Sequence, residues 1–322
     1  MTISVGTFNL NNLFSRFNFQ ASIPNPPQSG GGLTLEFDDN QNFKVRTFMG
    51  RLVKGKDAED TQDIADRIIN MDVDVLAVQE VEHILILKEF NRNHLNGLYR
   101  HVALVEGNDS RMIDVGVLSK LPFGPITSYQ AAVHDDDPVR PVFSRDLLRI
   151  EILSENRKQK LFTLYNTHLK SHFVPRDEDQ EEGTKRANER RQRQAEKISE
   201  IISRAERPNS SFILTGDMND PPDSEFLKPM LTVDGQPLFH GLQNPEETRP
   251  PKAENEGPGP QTTAWTYRRN PPGPTPPEFT LLDQIWLSPS LKDQISGAHI
   301  DRRSKHGGDG SDHDPAWIDL DL

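Results

Sequence analysis

The sequence predicts an α/β fold, on three observations. Short apolar runs such as Val73 to Val78, and the apolar run inside SFILTGDMND at 211–220, read as strands buried on both faces, which sheets covered by helices require. Between such runs, apolar residues recur at helical spacing at 60–70, and 184–205 forms the longest helix candidate. Several β-prone runs also end in Asp, Glu, Asn or His, endings that can converge on one polar site.

Composition narrows the function. The chain has 322 residues, only 34% of them hydrophobic, and 25 prolines, so a compact core with long exposed loops is expected. Its mean hydropathy is −0.68. Thirty-seven Lys and Arg against 49 Asp and Glu leave a net charge of −12, which disfavours tight nucleic-acid binding through bulk charge. An enzyme that meets phosphate through a bound cation and a local basic patch can still be acidic. With no cysteine, disulfides and thiolate metal sites are excluded. The N-terminus lacks the basic and apolar regions of a signal peptide, and no apolar run reaches the ~18 residues of a membrane span, so a soluble, cytoplasmic monomer is expected. A chain trimmed of a leader would read the same way.

In chain order, residues 2–8 form a first strand that NLNN breaks, placing Asn9 and Asn11 at its end. Taken alone, NLNN is equally an Asn-rich turn. Residues 18–44 read as an inserted loop rich in Pro and Gly. A helix over 60–70, capped by Asp60 or Thr61, leads into the Val73–Val78 strand, just past which stands Glu80. A carboxylate there needs a partner or a metal, unless it caps the next helix, at 84–96. Strands follow near 99–105 and 113–119, where Gly116 permits close backbone approach. After an acidic loop at 131–141, strands at 143–153 and 160–167 make a hairpin delivering Arg145 and His168.

The 184–205 helix carries Arg186, Arg190, Arg193 and Lys197 along one stripe, which either tracks a nucleic-acid backbone or pairs with its own glutamates. In TGDMND, Asp217 and Asn219 follow a buried strand two residues apart, a spacing also found in hairpins and Asx turns. Residues 244–277 are a proline-rich excursion interrupted by TTAWTYR, with FTLLDQIWLS at 279–288 as its strand partner. Asp283, inside that strand, needs a buried partner, and a His is the natural one. The chain closes on SDHDP and a final strand, AWIDLDL.

These residue types suit hydrolysis of a phosphodiester. Glu80, with Asn9 or Asn11 and Asp312, offers hard oxygen donors of the kind that hold Mg²⁺ or Mn²⁺. Asp217, oriented by Asn219, would position and deprotonate water, while His313, held by Asp283, would bind phosphate or share base duty. His168 is available as acid or donor, and Arg145 and Lys170 would hold non-bridging oxygens.

The motifs TFNLNN, VQE, NTHLK, GDMND, LLDQIWLS and SDHDP, in this order and at these distances, resemble those of the endonuclease/exonuclease/phosphatase superfamily of metal-dependent phosphoesterases. The resemblance spans nearly the whole chain. It implies one catalytic domain over 1–322, built as a four-layer α/β sandwich of two mixed sheets face to face with helices outside. It places Asn9, Glu80, His168, Asp217, Asn219, Asp283, Asp312 and His313 on the family's functional positions, whereas the position of Asn11 varies among subfamilies. The FSRD around Arg145 is similar to a phosphate-contacting segment of deoxyribonuclease-type members, and GKDAEDTQDIADRIINMDVDVLAVQEVE looks most like bacterial nuclease-type members. The expectation is a Mg²⁺- or Mn²⁺-dependent nuclease or phosphodiesterase acting on nucleic acid. The alternatives are hydrolysis of a small lipid, inositol or sugar phosphate, and a non-catalytic scaffold on the same fold.

Overall fold

The computed structural model describes residues 1–14, 56–175, 177–248, 263–271, 275–303 and 309–322. The insertion expected at 18–44, and most of the excursion between 249 and 262, lie outside the described residues. The first half of the chain runs β1 (Thr2–Leu13), α1 (Ala58–Met71), β2 (Val75–Val81), α2 (Ile84–Asn93), β3 (His101–Leu104), β4 (Asp114–Ser119), β5 (Phe123–Ser128), β6 (Leu147–Leu153) and β7 (Lys160–His168). It continues with α3 (Gln180–Ala205), β8 (Phe212–Asp217), β9 (Thr232–Val233), β10 (Gln236–Pro237), β11 (Phe239–His240) and β12 (Glu246–Glu247). Last come β13 (Tyr267–Arg269), β14 (Glu278–Thr280), β15 (Asp283–Leu287), β16 (Ile295–Ile300) and β17 (Ala316–Asp321).

Two large mixed sheets result, in the orders β12-β16-β17-β1-β2-β4-β3 and β11-β15-β8-β7-β6-β5. The layers follow from side-chain alternation. Ile3, Val5, Val75 and Ala77 of the first sheet meet Phe162, Leu164, Ile213 and Ile285 of the second in one buried cluster. The opposite face of the first sheet, with Phe8, Leu76 and Val78, takes Ile64 and Ile68 of α1 and Leu87 of α2. Tyr165 and Leu214 on the outer face of the second sheet pack on Ile198 and Ile202 of α3. The four-layer α/β sandwich is therefore present.

Continuing the inward positions by steps of two turns the core polar at one end: Thr7 and Asn9, Gln79, Asn166 and His168, Thr215 and Asp217, and Asp283 are all buried. They are satisfied across the gap between sheets. Gln79 Nε2 donates to Asn166 Oδ1 at 2.8 Å, and Asn166 Nδ2 donates to the carbonyls of Gly116 at 2.8 Å and Val78 at 3.1 Å. This polar layer floors the site.

Local differences from the sequence reading have physical causes. β1 does not stop at NLNN but runs to Leu13, with Asn11 and Asn12 in left-handed backbone that shifts its register. The N-cap of α1 is Asp57 rather than Asp60 or Thr61. Helix α3 starts at Gln180, inside the acidic stretch, because the Asp179 carboxylate accepts the Glu182 N–H at 2.8 Å. Its basic stripe is largely neutralised: Arg186 pairs with Glu178 and Glu182, Arg193 with Asp136, and Lys197 with Glu200.

Gly216 sits between Thr167 of β7 and Gln284 of β15, with φ +132°. A Cβ there would lie 1.9 Å from the Thr167 carbonyl oxygen. Gly216→Ala is therefore expected to destabilise the protein by at least about 2 kcal/mol, read as a fall in the urea midpoint, because both the backbone angle and the ladder contact would have to give.

Candidate active site

Register brings the polar strand ends into one row. In the second sheet His168 pairs with Asp217 and Asp217 with Asp283, so three strands deliver three titratable groups side by side. From the first sheet Asn9 reaches across, its Nδ2 donating to Asp217 Oδ2 at 3.0 Å. The other Asp217 oxygen accepts the Asn219 N–H at 2.9 Å. Asn219 thus orients Asp217 through its backbone, while its side chain donates to the Leu169 carbonyl at 3.1 Å.

His313 Nδ1 lies 2.6 Å from Asp283 Oδ2, and its Nε2 faces Asp217 Oδ2 at 4.0 Å. The His168 Nε2 to Asp217 Oδ2 distance is 3.3 Å. The loop bearing Asp312 and His313 is clamped from behind. Ser311 Oγ donates to the Asn9 carbonyl at 2.7 Å, and Arg67 of α1 pairs with Asp314 at 3.3 Å and donates to the His313 carbonyl at 3.3 Å. Asp314 also takes Arg302 and Arg303, so the second Asp of SDHDP is a structural anchor.

Asn9, His168, Asp217, Asn219 and His313 line one cavity of about 1470 Å³, together with Asn11, Glu80, Arg111, Tyr267 and Asp312. The Tyr267 ring packs on His313, centroids 5.1 Å apart, because β13 pairs with β14 and turns that ring toward the cleft. Asn11, Asn12, Glu80 and Asn219 all border the cavity in left-handed backbone. Glu80 is the exception among asparagines, and its positive φ falls where the pairing of β2 with β4 slips.

The burial that builds the site also separates its titrations. Burial pushes Asp217 up to about 7, with Asp283 adding to the shift and His313 opposing it. Burial works against a charged His313, yet the Asp283 carboxylate raises it well above the usual imidazole range. His168 goes the other way, driven well below that range by burial and by the Arg145 charge. Glu80 is raised by burial and by Asp312. One cationic and one neutral imidazole thus flank the same carboxylate.

The acidic wall fits a hard divalent cation. Glu80 and Asp312 repel one another in a partly dry cleft, and the half-buried Lys56 ammonium, which feels both charges, donates to the Asn11 carbonyl at 2.6 Å. Asn9 and Asn11 add amide oxygens of the type such cations accept. Among the described residues, Asp217, Asp283 and His313 also offer ligand atoms within 4.8 Å of one another. The short Nδ1–carboxylate contact occupies two of those atoms, which marks that group as a carboxylate–imidazole pair before a metal cage.

Two expected phosphate ligands are placed differently. Lys170 does not line the cavity: its ammonium turns back to the carbonyls of Ser171 at 2.7 Å and Phe173 at 3.1 Å. Arg145 borders the cavity but is buried, its guanidinium donating to Asp109, Ser144 and the Leu169 carbonyl. Arg111 and Tyr267 were not singled out as site residues by sequence. The first lies in the turn-like EGNDSRM and carries no strand frame to announce it.

Residues 6–313 match the model of the Endonuclease/Exonuclease/phosphatase family. Among solved structures, the endonuclease/exonuclease/phosphatase from Bacteroides vulgatus is similar at a TM-score of 0.59 and 16% identity, covering 100% of this chain and 99% of that one. The mannosyl-6-phosphatase of Bacteroides thetaiotaomicron gives a TM-score of 0.55 at 15% identity, over 99% of this chain and 100% of that one. Staphylococcus aureus beta toxin gives 0.56 at 13% identity, over 98% and 99% respectively. At such identities the likeness is one of fold. Among curated proteins, none matches the chain significantly.

Proposed function

Because the chain belongs to the endonuclease/exonuclease/phosphatase family, whose members are phosphoester hydrolases, we propose that it hydrolyses phosphodiester bonds with Mg²⁺ or Mn²⁺ and takes nucleic acid as substrate. The observation that carries this reading is the convergence of Asn9, Glu80, His168, Asp217, Asp312 and His313 on one cavity.

Asp217 accepts the proton of the attacking water. The donors Asn9 Nδ2 and the Asn219 N–H fix its two oxygens, which keeps the carboxylate aimed while it titrates. His313, held charged by Asp283, donates from Nε2 to a phosphoryl oxygen as negative charge develops there. Neutral His168 lies against the same Asp217 oxygen and bounds the water's position. Glu80, with Asn9, Asn11 and Asp312 beside it, would hold the cation, which when bound polarises the phosphoryl oxygen and stabilises the leaving alkoxide. No described helix is long and apolar enough to cross a membrane.

One observation favours a second reading, a small phosphate ester as substrate: the α3 stripe that would follow a polynucleotide is spent on Glu178, Glu182, Asp136 and Glu200. A side-by-side panel separates the two. Bis-aryl phosphate turnover is expected to exceed mono-aryl turnover, with plasmid DNA or RNA cut, and all of it lost in chelator. Mono-aryl hydrolysis without cleavage of any diester would move the assignment to the second reading. Folded protein that turns over none of them would remove both.

A further inference from the structure

We propose that Arg111, set in place by Asp109, is the guanidinium that grips the reacting phosphoryl group, an assignment that rests on the phosphoesterase reading above. Of the residues expected to do this, the Lys170 ammonium is tied to its own loop, and the Arg145 side chain, at the border of the cavity, is only 2% exposed and held by its own partners. Arg111 is 53% exposed and lines the same cavity as Glu80, His168 and Asp217. Its charge is felt at both Glu80 and His168.

The geometry is built rather than incidental. Asp109 Oδ1 accepts the Arg111 N–H at 2.9 Å and Nε at 3.1 Å, while Oδ2 accepts Nη2 at 3.0 Å. The same Oδ2 takes Arg145 Nη1 at 3.3 Å. One carboxylate therefore holds two guanidinium groups, one buried in the wall and one exposed to the cavity. Arg145 is pinned in turn by Ser144 Oγ at 3.1 Å and by the Leu169 carbonyl, the carbonyl to which Asn219 also donates. The chain of contacts runs from the general-base loop through Arg145 and Asp109 to Arg111. Its Nε–Nη2 edge is engaged by Asp109, and that fixes the plane in which the fork meets a planar pair of phosphoryl oxygens.

The test combines turnover of a bis-aryl phosphate with calorimetric titration by inorganic phosphate in the absence of metal. Arg111→Gln is expected to weaken phosphate binding and to lower kcat/KM roughly 10- to 100-fold, the loss of one charge-assisted pair. Arg111→Lys keeps the charge but not the fork and should remain at least about threefold impaired. Asp109→Asn removes a negative charge, so a purely electrostatic role would tighten phosphate; weaker binding is expected, because Arg111 loses its fixed plane. Tighter binding would overturn the positioning role of Asp109. Unchanged phosphate affinity and kcat/KM in Arg111→Gln, with the exposed Arg204→Gln as reference, would overturn the assignment itself. A wild-type protein that binds phosphate through Arg111 yet hydrolyses no phosphoester would instead remove the proposed function and leave this contact standing.

Discussion

Asp217→Asn is expected to lower kcat on a bis-aryl phosphate roughly 10³-fold, within the range that a positioned general base contributes. The carboxylate is the last residue of β8, fixed by two donors and flanked by both imidazoles. An amide of the same shape can keep one donor but cannot take a proton. A second measurement shows whether the loss is chemical. Burial pushes Asp217 up to about 7, against an ordinary carboxyl value of 3.8. Between those values the folded protein keeps a proton that the unfolded chain has released, so this group's stabilisation is full at low pH and is lost as pH rises toward 7. In chelator, the variant should therefore lose less stability than the wild type between about pH 4 and pH 7 in urea unfolding. Equal losses would mean that Asp217 is not a buried acid, and the base assignment would fall with it.

What the sequence made legible is what strand alternation controls. Asn9, His168 and Asp217 are inward positions continued by steps of two from Val5, Leu164 and Ile213, so an apolar run ending in a polar residue locates them without any knowledge of the partner strand. Asp283 was legible because a carboxylate inside a strand needs a buried partner, and His313 is that partner. Arg111 and Asp109 were not. They lie in a polar turn whose composition says only that the chain reverses, and their place in the site comes from packing against Arg145, which lies more than thirty residues onward. Lys170 misled for the same reason: loop side chains answer to nearby carbonyls, and sequence carries no period that orients them. The basic stripe of α3 was visible, but whether it faced a ligand or its own acids depended on Asp136, in a distant loop.

Asp283→Asn should cost roughly 10²- to 10⁴-fold in kcat through His313 rather than through any contact of its own with substrate. Burial opposes a charged His313, and the carboxylate 2.6 Å from Nδ1 does most to hold the imidazole above its usual range, with Asp217 and Asp312 adding to it. With that charge removed, the balance shifts toward the neutral imidazole. The alkaline limb of the kcat/KM profile, which records loss of the His313 proton, should move down. The acid limb, set by Asp217, should move up rather than down, since the loss of the raising Asp283 charge is outweighed by the loss of the larger lowering charge on His313. Combining Asp283→Asn with His313→Gln then distinguishes two roles for the same carboxylate. If Asp283 acts by holding His313, the double variant loses little more than His313→Gln alone, because the second change removes what the first one served. If instead Asp283 joined Asp217 and His313 as a cation ligand, each removal would weaken metal binding separately, and the double variant would need markedly more Mg²⁺ or Mn²⁺ for half-maximal rate than either single one.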